Sequence, residues 1–118
     1  MKIKVSLLGV VGVLLSNIVL ANHEIKFDDI LYIETSKRQL IIHTINGHEI
    51  IKMSIRKLEK LLNKDFFRCH NSFIVNLEKI NKIDVSDIYI NNATIPISKH
   101  RRKQLKARLI EVLGDKLC

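Results

Sequence analysis

Short runs of apolar and β-branched residues, separated by polar residues, make up the first half of the chain. This pattern predicts β-strands. The strand-like runs are residues 18–21, 24–27, 30–34, 39–45 and 48–51. Asn46-Gly47 between two such runs is a strong hairpin signal, because both residue types tolerate positive φ. We therefore predict a hairpin at Asn46-Gly47 and turns at residues 22–23 and 35–38.

The second half of the chain contains four more strand-like runs. They are residues 72–77, 79–85, 88–90 and 93–97. Asn91-Asn92 predicts a turn between the last two runs. Pro96 has no amide hydrogen to donate, so the last run is expected at a sheet edge or to end at this residue.

Two stretches carry apolar residues at helical spacing. Ser54 can cap the first helix, which is expected to end near Asn63 and has an apolar face formed by Ile55, Leu58, Leu61 and Leu62. Ser98 can cap the second helix, and Gly114 is its expected end. Its apolar residues are Leu105, Leu109, Val112 and Leu113. The pattern as a whole predicts a mainly β (α+β) domain with one short helix between strands and a helix at the carboxyl end.

The apolar run at the amino terminus allows three interpretations. As a signal peptide, it has basic Lys2 and Lys4, an apolar stretch and a cleavage position after Ala21. As a membrane span, it is slightly short for a hydrocarbon core of ~30 Å, and it would leave the basic body outside the cytoplasm. As part of the fold, residues 18–27 form a hairpin and only residues 1–17 are additional. We favour the third interpretation because the rest of the chain has the chemistry of a cytoplasmic protein.

The length supports one domain with one core, since the chain has 118 residues. We divide it into an apolar segment at residues 1–17, a domain at residues 18–113 and a tail at residues 114–118. Membrane contact would use residues 5–21 and is the less favoured alternative.

The charge of the chain narrows the choice of partner. The formal net charge is +8, which favours a polyanion: nucleic acid first and an anionic membrane surface second. On composition alone, a basic surface without any partner accounts for this charge equally well. Cys69 and Cys118 have no metal-ligand spacing and provide no disulfide framework, which indicates a reducing compartment.

Positive charge is concentrated at residues 99–108, with the sequence KHRRKQLKAR. This segment has no acidic residue and six cations, namely Lys99, Arg101, Arg102, Lys103, Lys106 and Arg108. Such a run at the start of a helix opposes the helix dipole, and phosphate oxygens would neutralise it. We therefore prefer DNA contact to a merely solvated face. Lys37 and Arg38 form a second, smaller basic site in a predicted loop, where binding residues concentrate.

No group of residues supports an enzymatic function. A Gly-rich phosphate loop and a dinucleotide fingerprint are both missing from the sequence, and the five histidines have no ligand spacing. Cys69 and His70 point to opposite faces of an extended segment, so they do not pair easily. Asp28-Asp29 lies beside a strand start, where a turn or capping role is preferred. We predict a protein that is not an enzyme and uses no metal or cofactor.

Three motifs, in order along the chain, resemble the signatures of the LytTR family of DNA-binding domains. They are residues 27–34 (FDDILYIE), residues 67–76 (FRCHNSFIVN), and residues 96–99 (PISK) followed by basic residues. The Asn-Gly hairpin and the Leu-rich helix fall between them in the family's order. The resemblance covers about residues 18–113 and excludes residues 1–17.

The resemblance implies short antiparallel β-sheets with little helix, and loops rather than a recognition helix in the major groove. It also implies a cytoplasmic output domain of a bacterial response regulator, part of a two-component system. Such domains bind direct repeats in promoters, usually as two copies. A receiver domain is missing from the sequence, so we expect a free-standing regulator or a fragment of a longer one. A membrane-tethered regulator is a further alternative.

The resemblance also assigns DNA contacts residue by residue. Its matched positions are Arg38, Asn71 and approximately His100. An amide at Asn71 can read an adenine edge or bridge to phosphate, although many members carry arginine there. With the basic run added, the predicted DNA-binding residues are Lys37, Arg38, Asn71, Ser98, Lys99, His100, Arg101, Arg102 and Lys103.

Other residues of the central motif are expected to support the loop or to be buried. His70, Phe73 and Val75 are predicted to hold the loop around Asn71 from beneath. Cys69 matches a redox-sensitive thiol of some family members, whose partner cysteine would fall near Ile95. An internal disulfide is therefore not available, and a buried structural thiol is preferred. The competing function for the whole chain is an exported or membrane-associated basic protein that binds anionic surfaces.

Overall fold

The computed structural model describes residues 10–13, 17–20 and 23–117, and most of this part of the chain is short β-strand. The strands are β1 (Val10–Val13), β2 (Asn17–Leu20), β3 (His23–Lys26), β4 (Ile30–Ser36), β5 (Gln39–Thr44), β6 (Gly47–Ile51), β7 (Phe66–His70), β8 (Phe73–Asn76), β9 (Lys82–Ile83), β10 (Asp87–Ile90) and β11 (Ala93–Pro96). The helices are α1 (Ile55–Glu59) and α2 (Arg102–Leu117). Single 3₁₀ turns occupy Phe27–Asp29, Leu77–Lys79 and Lys99–Arg101.

The described strands form three antiparallel sheets. A five-stranded sheet has the order β6-β5-β4-β8-β7, and three-stranded sheets have the orders β1-β2-β3 and β11-β10-β9. The predicted fold class is confirmed: a mainly β domain of short antiparallel sheets, with a short helix between strands and a helix at the carboxyl end.

Apolar side chains cover both faces of the five-stranded sheet, which makes it the middle layer of the domain. In β4, β7 and β8, neighbouring residues face opposite sides of the sheet and serve different cores, whereas β5 and β6 contribute only to the first core. The first core joins one face to β2, β3 and α1 through Ile18, Leu20, Ile25, Ile33, Leu40, Ile42, Ile55, Leu58 and Ile74. The second core joins the other face to β10, β11 and α2 through Phe67, Cys69, Val75, Ile88, Ile90, Ile95, Leu105 and Val112. Each fully buried aliphatic side chain contributes about 1.5–3 kcal/mol.

The hairpin predicted at residues 18–27 is present as β2 and β3. Asn17 pairs with Lys26, and Leu20 pairs with His23. Ile18 and Leu20 are fully buried in the first core, so this hairpin belongs to the domain. Strand β1 pairs with β2, so part of the segment we treated as additional joins the same sheet.

Most of the apolar run that suggested a signal or an anchor lies outside the described residues. This applies to Lys2, Lys4 and Ala21, as it does to residue Cys118 at the other end. No helix within the described part of the chain is long and apolar enough to cross a membrane.

Two predicted element boundaries were wrong in the first half of the domain. Thr44 pairs with Gly47, so the hairpin turn consists of Ile45 and Asn46, one residue earlier than predicted. Helix α1 is capped by the Ser54 hydroxyl, which accepts from the Lys57 amide at 3.1 Å, but it ends at Glu59 rather than near Asn63. The Asn63 carboxamide accepts from the Asp65 amide at 2.9 Å, and such a local side-chain bond competes with the helix and turns the chain towards β7.

The second half contains two further differences from the predicted elements and one agreement. Strand β7 was not predicted, and the strand expected at residues 79–85 is reduced to Lys82–Ile83. The Asp84 carboxylate explains this reduction, because it accepts from the amides of Ser86 and Asp87 at 3.0 and 2.8 Å and closes a turn. Pro96 ends the edge strand β11, as predicted.

Helix α2 differs from its prediction at both ends. The Ser98 side chain makes no capping hydrogen bond, and a 3₁₀ turn at Lys99–Arg101 leads into the helix instead. At the other end, the helix continues through Gly114 to Leu117. A helical glycine costs about 1 kcal/mol relative to alanine, which the burial of Val112 on the preceding turn offsets.

Candidate nucleic-acid interface

Three loops with basic or amide side chains meet at one end of the five-stranded sheet. The first loop is Lys37-Arg38 between β4 and β5, the second loop is Asn71-Ser72 between β7 and β8, and the third loop is residues 97–101 between β11 and α2. The Thr35 amide donates to the Ser72 carbonyl at 3.0 Å, which joins the first loop to the second. The Ser98 amide donates to the Cys69 carbonyl at 2.8 Å, which joins the third loop to the second.

The first loop holds its two cations in an unusual backbone conformation. Ser36 pairs with Gln39, so Lys37 and Arg38 are the whole turn. Their φ angles are 50° and 66°, which is the left-handed region that Asn and Gly occupy more easily. Both side chains are exposed. A lysine and an arginine at positions that locally favour Asn-Gly indicate that the charges, rather than the turn, account for these residues.

The second loop presents the Asn71 side chain to solvent and is held in place by its neighbours. The Ser72 amide donates to Nδ1 of His70 at 3.1 Å, and the ring centroids of His70 and Phe73 are 5.7 Å apart. Val75, two residues further along β8 than Phe73, is fully buried in the second core. His70 and Phe73 therefore support this loop, as we predicted, and a role of Val75 in supporting it stays a prediction. No hydrogen bond within the described residues uses the Asn71 carboxamide, which is exposed at the tip of the turn.

The third loop and the first turn of α2 contain both exposed and partly buried basic residues. Lys99, His100 and Lys103 are exposed, whereas Arg101 and Arg102 are half-buried. Nη1 of Arg101 donates to the Arg68 carbonyl at 3.1 Å, so this guanidinium is already engaged within the protein. Ser98 contributes its backbone amide to the join with β7 and is itself half-buried.

Further along the basic run, Arg108 turns inward. Its Nη2 donates to the Phe66 carbonyl at 3.3 Å and also to the Lys64 carbonyl. The guanidinium carbon lies 6.0 Å from the Phe67 ring centroid. Arg108 therefore anchors α2 against β7, and the basic run is not a uniform DNA-facing surface.

Cys69 is buried below the second and third loops and has no exposed surface. Its Sγ donates to the Pro96 carbonyl at 3.6 Å. Burial raises the pKa of the thiol to about 12, although Arg101 acts in the opposite direction. A thiol that stays protonated at neutral pH is a poor nucleophile, and Ile95 lies in the same core. These features are those of a structural cysteine.

Histidine and acidic side chains elsewhere make ordinary structural contacts. His43 stacks on Tyr32 with a centroid distance of 4.2 Å, and its Nε2 lies 2.9 Å from Oε1 of Glu34. Within the described ranges, no group of three or more His, Cys, Asp or Glu residues could hold a metal ion.

Sequence reasoning missed two side chains that organise this end of the sheet. Arg68 lies on β7 with its side chain 16% exposed; its Nη2 donates to the Asn71 carbonyl at 2.7 Å, and its Nη1 to Oε1 of Glu59 at 3.2 Å. Arg68 lies in the central motif, but the neighbouring sequence indicates only that it carries a positive charge. The pairing with Glu59, nine residues earlier and on a helix, has no local signal in the sequence.

A small basic domain that carries its charged and amide side chains on clustered loops has the general character of a nucleic-acid-binding module. Residues 21–110 match the model of the LytTr DNA-binding domain, and the chain belongs to this family. The resemblance of the three sequence motifs is thereby confirmed.

Individual relatives agree with this assignment. Over 72 residues, the chain is 36% identical to accessory gene regulator protein A of Staphylococcus aureus strain N315 and 35% identical to that of Staphylococcus epidermidis. Each match covers 58% of this chain and 30% of the relative, so the chain corresponds to under a third of those proteins. The fold is similar to a solved LytTr DNA-binding domain from Bacillus cereus, with a TM-score of 0.67, 25% identity, and coverage of 86% of this chain and 96% of that one.

Proposed function

We propose that this domain binds promoter DNA in a sequence-specific manner, with the three loops in the major groove, and acts as the output domain of a bacterial response regulator. The observation that carries the proposal is the convergence of the three loops at one end of the sheet, joined by the Thr35–Ser72 and Ser98–Cys69 backbone hydrogen bonds. Loops joined in this way can approach one surface together.

The side chains at the loop tips have the chemistry that base recognition needs. Arg38 can make a forked contact with guanine, and the Asn71 amide can pair with an adenine edge. His100 and Lys99 on the third loop are exposed and can donate to a base or a phosphate. Lys37 and Lys103 are suited to phosphate contacts, since lysine acts as a point charge.

Arg101 and Arg102 have a smaller part in this proposal than their charge suggested. Arg101 already donates to the Arg68 carbonyl, and both side chains are half-buried. We assign them to the support of the third loop and to the electrostatic field, rather than to base recognition. The formal net charge of +8 would attract the phosphate backbone at long range.

The relatives and the family support a proposal about the wider setting. We propose a cytoplasmic protein that acts through direct repeats in promoters, with a second copy of the domain on the neighbouring repeat. Since the chain spans 30% of the relatives' length, an input signal and a receiver function belong to a longer regulator under this proposal.

Selection from a pool of random duplexes at two salt concentrations tests the proposal. A repeated motif should be enriched, and affinity for it should fall steeply with salt because phosphate contacts release counterions. Asn71→Ala should reduce the preference for the selected motif, whereas Lys103→Ala should weaken all duplexes alike. Binding without any enriched motif would contradict sequence-specific recognition.

The competing function is an exported or membrane-associated basic protein. Cleavage after Ala21 would remove β2, and with it Ile18 and Leu20, which are fully buried in the first core. Mass spectrometry of the purified chain separates the two functions. An intact amino terminus would argue against export, whereas a folded chain that begins at residue 22 and binds anionic vesicles would favour it.

A further inference from the structure

The end of β7 is the point at which the second and third loops are joined. The Arg68 guanidinium bonds at once to the Asn71 carbonyl, at 2.7 Å, and to the Glu59 carboxylate, at 3.2 Å. The carbonyl of the same residue accepts from Arg101 at 3.1 Å. One residue therefore connects helix α1, the second loop and the third loop.

We propose that Arg68 is a positioning residue for DNA recognition. It orients the Asn71 side chain and does not itself contact a phosphate. This inference rests on the proposed DNA-binding function. Glu59, Arg68 and the Asn71 carbonyl together form a clamp.

The geometry of the clamp favours positioning over direct contact. The Arg68 side chain is 16% exposed, and its two terminal nitrogens already have partners within the protein. A phosphate contact would have only the remaining N–H groups of a side chain that is largely buried, and of these the Nε–H is fully buried and has no partner within the described residues. The planar fork of arginine suits two acceptors in fixed directions, which lysine cannot reproduce.

The clamp acts on the backbone immediately beside the recognition side chain. The turn between β7 and β8 contains only Asn71 and Ser72, so fixing the Asn71 carbonyl restricts the direction of its side chain. The bond from Arg101 to the Arg68 carbonyl extends the same restraint to the third loop. Recognition groups held in advance lose less conformational entropy on binding.

Measurements on the full chain and four variants test the role of the clamp. Arg68→Gln removes the fork and the charge, Arg68→Lys removes only the fork, and Glu59→Gln removes the anionic partner. Arg56→Gln is the matched control, because Arg56 is an exposed arginine on the same helix as Glu59. Affinities for the selected duplex and for a scrambled duplex are measured over a range of salt concentrations.

Arg68→Gln and Arg68→Lys are both expected to lower the ratio of the two affinities about tenfold, a change of about 1.4 kcal/mol. The salt dependence on the scrambled duplex should stay unchanged. Glu59→Gln should also lower the ratio, although the loss of a negative charge would by itself tighten binding to any DNA. Arg56→Gln should leave the ratio unchanged.

The opposite pattern would overturn the inference. A phosphate contact at Arg68 predicts that Arg68→Gln weakens both duplexes equally and reduces the salt slope by about 0.9, with rescue by Arg68→Lys. Tighter binding of Glu59→Gln to both duplexes at an unchanged ratio would equally contradict the clamp. If thermal unfolding finds Arg68→Gln unfolded, Glu59→Gln decides, because it removes the ion pair that holds the Arg68 guanidinium and keeps Arg68 itself.

Hydrogen exchange without DNA separates this inference from the proposed function. The amide of Ser72 should exchange faster in Arg68→Lys than in the parent, while the amide of Gln39 beside the first loop should not change. Unchanged exchange at Ser72 would overturn the clamp. A parent chain that selects no duplex would contradict the proposed function, and the exchange result would still decide whether Arg68 orders the loop.

Discussion

The first and second loops lie at the same end of the five-stranded sheet, but different interactions determine their conformations. The first loop is a two-residue turn whose form comes from its own backbone, with Lys37 and Arg38 both at positive φ. The second loop takes its form from side chains outside it, since Arg68 bonds the Asn71 carbonyl and His70 accepts from the Ser72 amide.

This difference separates a local from a tertiary way of organising a binding surface. A turn with positive φ angles is held by its two flanking strands alone. Each non-glycine residue in this conformation lowers the stability of the fold by about 1 kcal/mol or more. The second loop has no positive φ among its two residues, but it depends on α1, on β7 and on the core beneath. Perturbing the core or α2 should therefore disturb the second and third loops, whereas the first loop should respond only to changes in its own residues.

Ionisation of Cys69 should have the largest effect and should act beneath the second and third loops. The pKa of this thiol is raised from 9.0 to about 12 in the folded protein, so the thiol stabilises the fold fully below about pH 9. That stability is lost as the pH rises towards 12, at about 1.4 kcal/mol per unit of pH. Between pH 8 and 10.5 the parent should lose about 2 kcal/mol more of its unfolding free energy than Cys69→Ala does. Urea unfolding of both proteins at the two pH values measures the difference, and parallel pH profiles would contradict it.

Loss of the α2 anchor should come next. Arg108→Ala removes two hydrogen bonds to backbone carbonyls and the contact with Phe67, and should lower the unfolding free energy by about 1.5 kcal/mol. Lys106→Ala is the control, because Lys106 is an exposed cation on the same helix, and it should change stability by less than about 0.5 kcal/mol. Urea unfolding provides both values. Equal effects of the two variants would mean that Arg108 is an ordinary surface charge.

The first loop should respond in the opposite direction. Replacing Lys37 with Asn and Arg38 with Gly relieves the two positive φ angles and should raise the unfolding free energy by about 1 kcal/mol. The same double variant should bind the selected duplex more weakly, because two cations are lost. Thermal unfolding and DNA titration on one sample test both parts. A variant that is more stable and binds DNA as well as the parent would remove the first loop from the interface.

The smallest effect is expected at the start of α1. Ser54→Ala removes the cap on the Lys57 amide and should cost about 0.5–1 kcal/mol of stability. Because α1 carries Glu59, hydrogen exchange should increase at Ser72 in the second loop and stay constant at Gln39. Ser54→Asp, which can also cap, should restore the parent exchange rate. Faster exchange at both positions would indicate general loosening rather than an effect through the clamp.

The local sequence pattern determined those strands and helices that depend on only a few neighbouring residues. Short runs of apolar and β-branched residues predicted β2 to β6, and the cap at Ser54 and the helical spacing of Leu105 and Val112 predicted α1 and α2. Each of these elements depends on the spacing of apolar side chains or on one capping hydrogen bond, and both are local properties of the chain. The family could be inferred for the same reason, because its motifs are short continuous segments.

Tertiary structure decided where these elements end and which charges are available. Helix α1 stops at Glu59 because the chain must turn into β7, and α2 passes Gly114 because Val112 packs in the second core. In sequence, Arg68, Arg101 and Arg108 are cations like any other. Each bonds a backbone carbonyl far along the chain or across a turn, and such partners are brought together only when the sheet has formed. Position in the fold, rather than charge, therefore separates the cations that hold the loops from those that are exposed to solvent.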